Sequence, residues 1–261
     1  MNSRRTAPIL DRLPHSESNL ERLAMDALLH HEGVLPEHPG AVPIERLVEE
    51  AFGFTETYDI LEPGVLGEIR FGIENRPLAI RLARRLGEIN SDDPAIDHER
   101  RITLAHECGH GLAHAKIFAD GLRRERIPLL PGLGDELSHI GRSAENVHFS
   151  ILQPEKASTD EVWIEWEANY LMAALLLPRP LVLSFLSRFL MDVPNGVTRR
   201  SLPSTHRLSA ITALANTFNV SSGVAASRLA LLVPECEHPD LFDTIPHVVE
   251  SALGGGEHYP D

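Results

Sequence analysis

Apolar positions along this chain recur with two periods, and the changes of period mark the expected elements. "LERLAMDALLHHEG" and "PIERLVEEAFGF" carry apolar residues three and four apart, the signature of one helix face. Ser18 or Asn19 can cap the first helix, which ends near Gly33, and Pro43 opens the second. "GVLGEIRFGI" and "RPLAIRLA" read as paired strands separated by "ENR", although "RPLAIRLARRL" fits a helical period equally well. A long helix is expected over "DDPAIDHERRITLAHECGHGLAHAKIFADG", started at Asp93 and Pro94 and stopped at Gly121. Its apolar stripe is Ile102, Ala105, Gly109, Leu112 and Ala113. Another helix spans "STDEVWIEWEANYLMAALLLPRP", with a Ser158–Glu161 capping box and Pro178 at its end. Its run from Leu171 to Leu177 is apolar enough to belong in a core. "PLVLSFLSRFLMDV", "THRLSAITALANTF" and "SSGVAASRLALL" complete the helices, the last two joined at "NVS".

Candidate chemistry sits in the long helix. His106-Glu107-Cys108-Gly109-His110 reads HExxH, and residues four apart share one helix face, so both imidazoles can converge on one point. Neutral imidazole suits Zn²⁺, and Glu107 beside the first ligand can take a proton from water at the metal. Cys108 points away from that face and reads as a small packed residue. Gly109 costs helix stability, roughly 1 kcal/mol against Ala, and either lets another backbone or a substrate approach or is simply tolerated. His114 continues the row; a group behind the ligands that orients them is preferred over a fourth ligand, because a catalytic zinc keeps a position open. Glu165 and Glu167, upstream of the apolar run, are both candidates for a third ligand.

"RRITLAHECGHGLAHA" followed by "EWEANYLMAALLLP" resembles the ImmA/IrrE family of zinc metallopeptidases, with its TLAHExGHxxxH and ExEANxFAAxLLxP helices. "GVLGEIRFG" and "LANTFNVSSGVAASRLALL" are weaker matches, and the resemblance covers roughly residues 25 to 233. It implies an α+β, zincin-like metallopeptidase. Such a fold has a small antiparallel or mixed sheet, the HExxH helix packed on a glutamate-bearing helix, and a C-terminal helical pair. In related gluzincin-type sites the metal glutamate lies four residues before an Asp or Asn. That spacing selects Glu165, four before Asn169, with Glu167 as the fallback ligand and Asn169 orienting a histidine. The implied site is His106, His110 and Glu165 around one Zn²⁺, with Mn²⁺ as an alternative, and Glu107 as the base. His139, His148 or Tyr170 could support an oxyanion.

The chain departs from the family pattern in two places. Cys108 replaces the usual apolar residue of the motif, and 54 residues separate His110 from Glu165. Most of that connection, residues 119–158, reads as an insertion with Pro and Gly punctuation and one strand, "VHFSIL". It is expected to form a wall or lid over the cleft. The organisation is then a tail over 1–18, a metallopeptidase domain over 19–200, a helical extension over 201–235 packed on it, and a tail over 236–261.

Composition narrows the partners. The net charge of −14 over 261 residues opposes a broad nucleic-acid face, which wants excess Lys and Arg. The closing helix pair could suggest helix-turn-helix reading of DNA, but "SSGVAASRLALL" offers few polar or basic residues for it. Two cysteines are too few for a disulfide scaffold, no apolar run reaches membrane-spanning length, and no signal-peptide core is present, so a cytoplasmic location is expected. His30, His31, His38, His98, His238, His247 and His258 have no partner spacing and read as surface residues. Family membership implies cleavage of a specific protein, often a helix-turn-helix repressor, that releases stress-response or mobile-element genes. A toxin–antitoxin-associated peptidase and a zinc-stabilised binding protein without turnover are the alternatives.

Overall fold

The computed structural model describes residues 15–87, 93–124, 138–143, 160–192 and 200–233. Within them the fold is α+β and mostly helical. Helix α1 spans Glu17–His30, and Ser16 caps it by accepting from the Asn19 N–H, two residues ahead of the cap expected from the sequence. Helix α2 spans Ile44–Phe52 and ends on Gly53, whose φ of 78° closes the turn through its N–H to the Glu49 carbonyl. Strands β1 (Thr57–Asp59), β2 (Val65–Phe71) and β3 (Pro77–Ala83) follow. The sheet is mixed, in the order β1-β3-β2-β4, with β1 parallel to β3 and the other pairs antiparallel; β4 is Ser138–Ser143. "PLAIRLA" is therefore a strand, and only Arg84–Gly87 after it turn helically, as one 3-10 turn.

Alternation along β2 explains its two faces. Ile69 and Phe71 are buried, and with Gly67 they face the long helix α3, Pro94–Arg124. Phe71 stacks on Phe118 of that helix with ring centroids 4.8 Å apart. The other face carries Glu68, which accepts from Arg70 at 3.1 Å and Arg81 at 2.6 Å, while Arg81 also reaches Asp59 at 3.0 Å. That charge ladder ties β1, β2 and β3 together.

Helix α3 starts as expected, with Asp93 accepting from the Ala95 N–H at 2.9 Å, but continues three residues past Gly121. Its middle, residues 101–111, is buried all round, because the sheet, α2 and α4 (Asp160–Leu176) enclose it. Helix α5 spans Arg179–Leu186, shorter than its periodicity suggested; Met191–Asp192 (β5) pair instead with Arg200–Ser201 (β6). Of the expected insertion, residues 119–124 extend α3 and residues 138–143 form the edge strand beside β2. The "VHFSIL" strand, the Ser158 cap, most of the proposed lid and the C-terminal tail lie outside the described residues.

Helices α6 (Ser204–Phe218) and α7 (Ser222–Leu232) close the fold. Asn219, between them, is left-handed at φ 52°. Its amide donates to Asp97 at 2.8 Å, and its side-chain oxygen lies 3.0 Å from His98 Nε2. His98 is thus half-buried and docks the turn onto α3, rather than standing free at the surface. In α7, Arg228 is fully buried and pairs with Glu21 of α1 through two bonds, at 2.6 and 3.0 Å. It also donates to the Leu177 carbonyl at 3.1 Å, and Tyr170 donates to the same Glu21 at 3.0 Å. One buried guanidinium therefore joins α1, α4 and α7. Among the described residues no single helix is long and apolar enough to cross a membrane.

Removing one partner of a buried ion pair strands the other charge, at about 3–5 kcal/mol. Arg228→Ala is expected to lower unfolding stability by about that amount. Urea denaturation checks it, and a change below about 1 kcal/mol would show that the clasp does not hold the helices together.

Candidate metal centre

The site is built where α4 crosses α3. A methyl group at Gly109 would stand 3.0 Å from the Ala168 carbonyl oxygen and 3.1 Å from Leu171 Cβ. Gly109 thus serves close approach of another backbone, and a larger residue there would push the two helices apart by a few tenths of an ångström. The crossing brings Glu165, about one turn before Ala168, onto the histidine face of α3.

His106 Nε2 and His110 Nε2 lie 3.0 Å apart. Glu165 Oε2 is 3.4 Å from the first and Glu165 Oε1 is 3.5 Å from the second. These three residues are close enough together to hold a metal ion. The spacing suits one: tetrahedral zinc bonds of about 2.0–2.1 Å set ligand atoms about 3.3 Å apart. Both imidazoles are buried, while the Glu165 side chain is 36% exposed. Burial opposes ionisation of Glu165, but His110 and His106, when their rings are protonated, hold its carboxyl down at about 2. Neutral rings with their lone pairs turned to a cation do not, and the cation then takes over that role.

A second rank of side chains stands behind the first. Asn169 Oδ1 lies 3.1 Å from His106 Nδ1. A carboxamide oxygen only accepts, so His106 carries its proton on Nδ1 and turns the Nε2 lone pair to the cluster. His114 is fully buried, with Nδ1 3.0 Å from His110 Nδ1 and Nε2 2.8 Å from Glu167 Oε2. Its nitrogens face His110 and Glu167, and it is not among the three residues whose ligand atoms cluster. Glu167, the fallback ligand, is 1% exposed and meets His114 and His15, because two residues turn it about 200° around α4 from Glu165. Burial opposes its ionisation too, yet hydrogen bonds from His114 and His15 hold it well below the usual carboxylate range.

Other candidates fall elsewhere. The Tyr170 hydroxyl is committed to Glu21, so it does not serve an oxyanion at the cluster. His139 lies in β4, opposite Arg70 in the strand register, and His148 lies outside the described residues. Cys108 is fully buried on the core side of α3, and burial pushes its thiol up to about 12. Arg228, the sole cation of α7, is enclosed in the core and cannot reach a DNA groove.

Glu107 is fully buried and faces β2. A methyl group at Gly67 would stand 3.0 Å from Glu107 Oε1 and 2.6 Å from Thr103 Cγ2. Gly67 therefore keeps open the space Glu107 uses. A glycine inside a strand pattern signals such an approach, and "GVLGEIRFG" carried that signal unread. No protein-family model matches this chain, and no curated protein matches it.

His106→Ala and Glu165→Ala are each expected to weaken zinc binding beyond the roughly 10–100-fold typical of groups behind the ligands, read by chelator competition. Gly109→Ala adds overpacking of about 1–3 kcal/mol against a helix gain of about 1. It should destabilise the fold and weaken zinc binding together; full zinc affinity in that variant would show that the crossing does not set the site.

Proposed function

We propose that this chain is a zinc-dependent peptidase of zincin-like fold, related to the ImmA/IrrE family it resembles, and that it cleaves a specific partner protein. The observation that carries the reading is the convergence of His106, His110 and Glu165, with Glu107 next in line on the same buried helix. Two imidazoles and one carboxylate form a donor set favoured by zinc over calcium or magnesium, with manganese a weaker competitor. A zinc ion held there supplies Lewis-acid chemistry, polarising a carbonyl and lowering the pKa of water at its open position.

The chain's own residues do the rest. Glu107 takes a proton from the attacking water onto its carboxylate. It then gives that proton to the leaving amine nitrogen as the C–N bond breaks. Gly67 leaves the carboxylate room beside β2. Asn169 keeps His106 in the tautomer that offers Nε2. A polypeptide would approach from the side of the partially exposed Glu165. The net charge of −14 favours a basic partner, and a helix-turn-helix repressor fits that chemistry.

The test uses zinc-loaded full-length chain with casein and with any small helix-turn-helix protein encoded beside it. Glu107→Gln should keep its zinc and lose about 10²–10⁴-fold in cleavage rate. Undiminished cleavage would remove Glu107 as the base. Bound zinc without cleavage of either substrate would favour a zinc-stabilised binding protein, and cleavage of a toxin's partner would favour the toxin–antitoxin role.

A further inference from the structure

Glu167 sits where a carboxylate is costly. It is 1% exposed, on a helix that is wholly apolar from Leu171 to Leu176, and burying such a charge requires hydrogen-bond donors on both oxygens. Both are supplied. Oε2 lies 2.8 Å from His114 Nε2. Oε1 accepts from the backbone N–H of His15, whose ring Nδ1 lies 3.3 Å away.

With both rings neutral, the order of the contacts fixes the protons. An ionised carboxylate only accepts, so His114 carries its proton on Nε2 and, as a neutral ring, has a lone pair on Nδ1. That Nδ1 is 3.0 Å from His110 Nδ1, so His110 must donate there. His110 Nε2 is left with its lone pair turned toward His106 Nε2 and Glu165. We infer that Glu167, steadied by His15 at the head of α1, is a positioning residue that sets the metal-binding tautomer of His110 through His114.

The inference rests on the metal reading above and deepens it. Helix α4 then provides three groups with distinct tasks: Glu165 faces both imidazoles, Asn169 orients His106 directly, and Glu167 orients His110 through one intermediary. The backbone just before Ser16 becomes part of the support, so the start of α1 bears on the metal centre without touching it. His15, whose side chain is 31% exposed, is the outermost member of the relay.

The experiment uses the full chain, with zinc affinity from chelator competition and long-range ¹H–¹⁵N spectra of the histidine rings. The native chain should show His114 protonated on Nε2 and His110 on Nδ1. Glu167→Gln keeps the size of the side chain but can turn an NH₂ group toward His114, which reverses the relay. It should fold with the Tm of the native apoprotein, bind zinc about 10–100-fold more weakly, and lose the His110 Nδ1–H signature. His15→Pro removes the backbone donor while leaving Glu167 and His114 in place, and should weaken zinc binding more than His15→Ala, which keeps that donor. It carries the test if the glutamine variant does not fold. A native His110 protonated on Nε2 overturns the inference, as does native zinc affinity in whichever of these variants folds. If the native chain binds no zinc, the metal reading fails, while the tautomers of the metal-free rings still decide the relay.

Discussion

Gly109 has no side chain, and the Ala168 carbonyl stands 3.0 Å from where a methyl group would be. The rest of the site depends on that contact. It lets α4 lie against α3 closely enough for Glu165 to reach two imidazoles that α3 alone presents 3.0 Å apart. The glycine's cost to the helix, about 1 kcal/mol, is offset by packing that makes α3 and α4 the centre of the fold.

A helix buried on all sides is ordinarily apolar, yet residues 101–111 of α3 include Arg101, His106, Glu107 and His110. Each is placed by a named neighbour. Arg101 donates to the Val42 and Asn219 carbonyls, His106 faces Asn169, His110 faces His114, and Glu107 packs against Gly67. Polar groups held so closely in a core cannot rearrange cheaply, which is the rigidity that a coordination site requires.

Much of this was legible in the sequence because it rests on local spacing. HExxH places two imidazoles on one face by helix geometry alone, and α1, α2, β2 and the closing helices follow from apolar periodicity, whereas β3 fits a helical period equally well. What escaped is non-local. Nothing in "EWEANY" tells that Glu167 turns from the cluster to His114, or that Tyr170 turns to Glu21; both follow from which face of α4 meets α3 and which meets α1. Strand β1 is three residues long and pairs in parallel with β3, so it leaves no alternating signature. His98 and Asn219 become partners only once the turn between α6 and α7 docks on α3, across 121 positions of chain.

The central claim is that one cation is held between His106, His110 and Glu165. Anomalous diffraction at the zinc edge from crystals of the zinc-loaded chain tests it most directly. A single peak about 2.0–2.1 Å from His106 Nε2, His110 Nε2 and a Glu165 oxygen is the predicted result. No peak there, or a peak held by His114 and Glu167 instead, would contradict it.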